Sequence, residues 1–142
     1  EATLKWYELV LGFERLAEPY SVYRDDAEYD HVSTLLGVEF DRLMVAHLTT
    51  TNSVGFELFE FEDAADGSAS PASTGFNHVS VVDPEIDGWA ARIEDAGGRR
   101  VSESQERSLG WPAVVYCTDS WDNRIEIYTV SHGRILASLG RD

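Results

Sequence analysis

Two short stretches of this chain pair a carboxylate with apolar neighbours in the same order. They are Phe56-Glu57-Leu58-Phe59 and Ile125-Glu126-Ile127-Tyr128. In an extended strand, successive side chains point to opposite faces, so Glu57 shares a face with Phe59 and Phe61, and Glu126 shares one with Tyr128. Each carboxylate is thereby predicted to sit in an otherwise apolar surface. An ionised carboxylate is costly to keep there, and the remedies are a raised pKa, a partner or a metal ion.

The elements that would carry these residues fall into two halves of similar order. In the first, Leu4, Tyr7, Val10 and Leu11 have helical spacing and stop at Gly12, predicting a helix over 1–11. Strands are predicted over 13–24, 42–49 and 54–61, with a short helix over 31–38. Residues 62–75 are polar, small and rich in turn formers, and read as a linker. The second half predicts a strand over 76–82, a helix over 84–96 ended by Gly97-Gly98, and strands over 99–104, 113–118 and 124–130. It therefore holds one strand, before its helix, that the first half lacks. The missing strand would precede Glu1, because a module without it leaves an open sheet edge.

The chain is 142 residues long, which reads as a single domain over 1–142 with module one at 1–61, the linker at 62–75, module two at 76–130 and a C-terminal tail at 131–142. Eleven Lys and Arg against 26 Asp and Glu leave a net charge of −15, which argues against nucleic acid and anionic membranes as partners. Cys117 is the only cysteine, within the apolar run 113–117, so a buried, inert thiol is expected and no intrachain disulfide can form. A lone reduced cysteine, no apolar run of membrane-spanning length and no signal-peptide pattern together predict a cytoplasmic protein. Phosphate-loop, dinucleotide and Ser or Cys nucleophile motifs are absent. His31, His47 and His132 have no motif support, and His47, within an apolar strand, is the one that could line a cavity. Trp111, Trp121, Tyr20, Tyr23 and Tyr116 fit either a core or an aromatic wall for a ligand.

Four motifs in order point to a family. They are Lys5-Trp6-Tyr7-Glu8-Leu9-Val10-Leu11-Gly12-Phe13, Val54-Gly55-Phe56-Glu57-Leu58-Phe59, Gly75-Phe76-Asn77-His78-Val79-Ser80-Val81 and Asp122-Asn123-Arg124-Ile125-Glu126-Ile127-Tyr128. With these the chain resembles, over nearly its whole length, the vicinal oxygen chelate superfamily, which includes glyoxalase I, extradiol dioxygenases, and fosfomycin- and bleomycin-resistance proteins. The resemblance implies an α+β fold of two βαβββ modules curled into a half-open barrel, and a homodimer. It also implies metal ligands from the first and last strands of each module: Glu57, His78 and Glu126 here, with a fourth upstream of Glu1.

One imidazole and two carboxylates suit one divalent transition metal ion such as Zn, Ni, Mn, Fe or Co. The resemblance then implies a metal-dependent lyase or isomerase that moves a proton on a small oxygenated substrate, with Glu126 as first and Glu57 as second general base, each made basic by a pKa raised in apolar walls. A carboxylate at position 57 argues against an extradiol dioxygenase, whose triad leaves that position without a ligand. The competing class is a bleomycin-resistance-like protein that binds a small molecule without catalysis, for which the acidic charge speaks. Loops 25–38, 62–75 and 105–112 are expected to frame the opening.

Overall fold

In the computed structural model, which describes residues 1–64, 75–107 and 111–138, the chain divides into two units, Glu1–Gly67 and Ser68–Asp142. The fold is α+β, and among the described residues each unit carries one open sheet.

The first unit runs α1 (Ala2–Leu11), β1 (Glu14–Arg15), β2 (Tyr20–Tyr23), α2 (Tyr29–Leu36), β3 (Arg42–Thr49) and β4 (Gly55–Phe61). Strand β3 is central. Strand β4 pairs antiparallel along it from Leu43↔Phe61 to Thr49↔Gly55, so β1 and β2, both antiparallel to β3, share its other edge. The strand predicted over 13–24 is thus two strands. Pro19 lacks an N–H and holds Glu18 out of the helical region, so the ladder breaks there.

Helix α1 forms as its apolar spacing predicts, burying Leu4, Trp6, Tyr7, Val10 and Leu11, and Gly12 ends it at φ 67°. The Tyr7 ring lies 5.1 Å from that of Phe56 and 5.7 Å from that of Phe13. Phe56 neighbours Glu57 on β4, so α1 covers the sheet face opposite to Glu57. Arg15 on β1 ties the helix down through Nη2 to Glu8 Oε2 at 2.8 Å and Nε to Oε1 at 3.1 Å. Helix α2 starts two residues earlier than the 31–38 expected and stops at Gly37, φ 67°. The early start buries Tyr29 beside Phe40, in a cluster with Val22, Leu43 and Val45.

The second unit runs β5 (Val79–Val82), α3 (Ile86–Asp95), β6 (Arg99–Arg100), β7 (Gln105–Arg107), β8 (Trp111–Thr118), β9 (Arg124–Tyr128) and α4 (His132–Ser138). The sheet order is β5-β9-β8-β6, with β7 also paired to β8. Strands β5 and β9 are parallel, and β8 and β9 antiparallel. Strand β4 of the first sheet pairs with β3 alone among the described strands, whereas β9 has a neighbour on each edge.

Three expectations are revised. The strand predicted over 99–104 shrinks to β6, because Ser102 Oγ accepts the Tyr116 N–H at 3.2 Å and displaces a backbone partner. Of the loop expected at 105–112, residues 108–110 lie outside the described residues, while Gln105–Arg107 and the start of β8 are strand. The tail at 131–142 contains α4, in which Ile135 is buried and donates its N–H to the Ser131 carbonyl. Most of the linker at 62–75 lies outside the described residues.

Helix α3 buries Ile86, Ala90 and Ile93 and is closed by Gly97, φ 84°, and by the Gly98 N–H donating to Ile93 O at 2.9 Å. A side chain at Gly98 would run into the Thr118 carbonyl oxygen and would lie 2.6 Å from Ile93 Cγ2. Arg100 Nη1 fixes the helix to β6 by donating to Asp87 Oδ1 at 3.0 Å.

Gly98→Ala is expected to destabilise the protein by about 1–3 kcal/mol in urea unfolding, the cost of forcing apart a packed helix and strand. The Arg15 guanidinium holds the Glu8 carboxyl below its ordinary pKa, chiefly through their hydrogen bonds. A folded pKa below the unfolded one gives a contribution present above the usual carboxylate range and lost as pH falls through the folded value. In Glu8→Gln that part of the acid dependence should vanish, read as urea midpoints across the acid range.

Candidate functional site

The ladder of the second sheet decides which side chains meet. Ser80 pairs with Glu126 across the parallel β5–β9 ladder, and Tyr116 pairs with Glu126 across β8–β9. Paired residues share a face, as do residues two apart on one strand, so His78, Ser80, Tyr116, Glu126 and Tyr128 emerge on one side. The alternate residues Val115, Cys117, Ile125 and Ile127 are fully buried on the other side, which α3 covers. This is the alternation predicted from sequence. A hydrophobic back face anchors the sheet, and the front face carries the polar groups.

Glu126 is 3% exposed, and its surroundings are not the apolar walls expected. Ser80 Oγ donates to Oε2 at 2.6 Å, the hydroxyls of Tyr116 and Tyr128 also hydrogen-bond the carboxylate, and His78 Nε2 lies 3.2 Å from Oε2. Burial pushes the carboxyl pKa up, but the bonds from Ser80, Tyr116 and Tyr128, joined by the charge of His78 when it is protonated, outweigh it and leave Glu126 below its ordinary value. The expected upward shift is therefore reversed. Nearby hydroxyls solvate the anion in place of water.

His78 lies just before β5, with Nδ1 3.0 Å from Asn77 Oδ1 and its ring edge-on to Tyr116 at 5.4 Å. An amide oxygen accepts only, so this contact places the ring proton on Nδ1 and leaves a lone pair on Nε2, facing the Glu126 carboxylate. Two acceptors 3.2 Å apart are favoured by a positive charge shared between them, either a proton or a metal ion. Donors about 2.1 Å from one ion stand roughly 3.0–3.4 Å apart, so the pair fits two ligands of one divalent transition metal.

Strand β9 is aimed by a buried turn. Asp119, 2% exposed, accepts the N–H groups of Trp121 and Asn123, both at 2.9 Å, and Asn123 Nδ2 at 2.8 Å, while Asp122 adopts φ 65°. Asp119 thereby holds the turn between the strands that the sequence predicts over 113–118 and 124–130.

The first sheet sets out a related group. Glu57 stands directly opposite His47 in the β3–β4 ladder, as Glu126 stands opposite Tyr116 in β8–β9. His47 Nδ1 lies 3.0 Å from Glu57 Oε1, and Tyr20 Oη lies 3.3 Å from His47 Nε2. Phe59, 43% exposed, shares this face. His47 therefore joins a group that its lack of a motif concealed. Its position was legible all the same: two short strands joined at Thr51-Asn52-Ser53 bring 47 and 57 together.

Of the three residues expected to bind metal, Glu57 belongs to the first unit and His78 and Glu126, in mutual contact, to the second. Among the described residues, no three His, Cys, Asp or Glu side chains converge within either unit. Ser80, Tyr116 and Tyr128 were missed as partners of Glu126, although the period of two from His78 and Glu126 reaches Ser80 and Tyr128. No helix among the described residues is long and apolar enough to cross a membrane.

The family model described as "Glyoxalase/Bleomycin resistance protein/Dioxygenase superfamily" matches residues 1–127. No curated protein matches the sequence. Among solved structures, a glyoxalase family protein from Bacillus cereus is similar with a TM-score of 0.69 at 16% identity, covering 83% of this chain and 78% of that one. The fosfomycin resistance protein FosX from Listeria monocytogenes, complexed with Mn(II) and sulfate, gives a TM-score of 0.58 at 14% identity, covering 96% and 86%. Glyoxalase I from Zea mays gives 0.61 at 18%, covering 92% of this chain and 40% of that one.

Cys117 is fully buried in β8, and burial raises its thiol to about 11. A thiol reagent at neutral pH should therefore leave the native protein unlabelled and react fully in urea, as followed by mass spectrometry.

Proposed function

Since the chain belongs to the Glyoxalase/Bleomycin resistance protein/Dioxygenase superfamily, we propose that it is a divalent-metal-dependent enzyme, a glyoxalase-like lyase or isomerase that moves a proton on a small oxygenated substrate. The observation that carries this reading is His78 Nε2 set 3.2 Å from Glu126 Oε2, with Nδ1 turned to Asn77 Oδ1 at 3.0 Å. His78 and Glu126 would hold the ion, and the resemblance names Glu57 as a further ligand. The donor set suits Zn, Ni, Mn, Fe or Co, and FosX, a similar fold, is complexed with Mn(II).

The ion, when bound, supplies Lewis acidity toward a carbonyl or enediolate oxygen. The residues of the chain do the rest. Ser80, Tyr116 and Tyr128 keep Glu126 ionised and fixed in place, which suits a ligand. The same bonds make it a weaker base. Glu57 is about half exposed, and its Oε2 has no partner among the described residues. In this reading Glu57 is the first choice to accept and return the substrate proton, and Glu126 the second, the reverse of the order inferred from motifs. Phe59 beside Glu57 offers an apolar surface to the substrate carbon skeleton.

The test is elemental analysis after chelation and repletion, separately with Zn, Ni, Mn, Fe and Co. One ion per chain is expected in the parent, with loss in His78→Ala and Glu126→Ala while circular dichroism shows the fold kept. In the loaded enzyme, Glu57→Gln should lower kcat on an enolisable substrate by at least about 100-fold, the scale of a general base. Absence of any ion in the parent after all five repletions would overturn the metal-dependent reading and leave a small-molecule-binding protein without catalysis.

A further inference from the structure

Three adjacent strands of the first sheet set Tyr20, His47 and Glu57 in a row on one face. Strand β2 flanks β3 on one edge and β4 on the other, so His47 has a hydroxyl on one side and a carboxylate on the other. The Tyr20 and His47 rings are stacked, 5.9 Å between centroids and 21° between planes, with Tyr20 Oη 3.3 Å from Nε2. On the far side Nδ1 lies 3.0 Å from Glu57 Oε1. A carboxylate only accepts hydrogen bonds, so a neutral imidazole that serves it through Nδ1 must carry its proton there, which leaves Nε2 to accept the tyrosine O–H. In that tautomer Tyr20 donates to His47, whose Nδ1 stands 3.0 Å from Glu57 Oε1.

The geometry points to His47 and Tyr20 as positioning residues for Glu57, engaging its Oε1 so that Oε2 is the oxygen presented to an ion or a substrate proton. This rests on the proposed role of Glu57. The module-two carboxylate is held differently, by hydroxyls, with Tyr116 at the place corresponding to His47. The two carboxylates thus stand in matching ladder positions with unlike partners. One has three hydroxyls beside it, and the other keeps one oxygen free among the described residues.

Two readouts test the assignment. Nitrogen-15 NMR of the metal-free protein at alkaline pH, where imidazoles are neutral, should show His47 with its proton on Nδ1, and Tyr20→Phe should raise the share carrying it on Nε2. Mn(II) titration should then show affinity reduced about 10–100-fold in His47→Phe at unchanged stoichiometry, the usual effect of losing a group that orients a ligand. Partial recovery is expected in His47→Gln, which restores a donor to Glu57. A proton on Nε2 in the parent would overturn the proposal, as would equal Mn(II) affinity in His47→Phe and the parent alongside a loss in Glu57→Ala. If His47→Phe does not fold, Tyr20→Phe, altered at a half-exposed side chain, carries the titration. If the parent binds no Mn(II), the metal reading fails and the tautomer alone decides the positioning.

Discussion

Keeping an ionised carboxylate out of water demands donors on every side that water would have filled. Glu126 meets that demand with groups from three strands: Ser80 beside β9 on one edge, Tyr116 on the other, and Tyr128 two residues along its own strand. Ser80 and Tyr116 arrive only if the ladders are in their observed register, since a slip of one residue would turn them to the helix side. The order of the second sheet, the parallel pairing of β5 with β9 and the turn at Asp119 therefore act together. They fix the same few positions.

Both units pack a helix against one face of their sheet. Helix α1 covers the side of the first sheet carrying Phe56, and α3 covers the side of the second carrying Val115, Cys117, Ile125 and Ile127. Packing against the helices makes the back faces rigid, and rigidity there is what allows distances near 3 Å on the front faces to persist. Gly98 shows how tight the arrangement is, because even one extra carbon would meet a backbone oxygen across the helix–strand contact.

Much of this was legible before any coordinates. Period-two alternation through 56–61 and 125–128 put Glu57 and Glu126 on the faces they occupy, and helical spacing through 4–11 and 86–93 placed the two covering helices. Motif order carried the family, which the match over 1–127 shows. What the sequence hid depends on neighbours far along the chain. Nothing local to Glu126 says that three hydroxyls will surround it, so its environment was read as apolar and its pKa as raised, with the opposite result. His47 was hidden for the same reason, since its meaning comes from facing Glu57 across a hairpin and Tyr20 across a second ladder. Helix α4 escaped because seven residues are too short a run to give a periodic signal.

The hydrogen bond between Ser80 and Glu126 closes a loop of 46 residues. Parallel strands cannot pair through a tight turn, so β5 finds β9 only after α3, β6 and β8 have been laid down between them. The entropy of closing so long a loop is spent before the contact returns anything. His78 and Glu126 are thus remote in a newly made or partly collapsed chain, and become neighbours when the unit completes itself. In a chain emerging from the ribosome the two side chains cannot meet until β9 is in place, so their contact marks a completed unit.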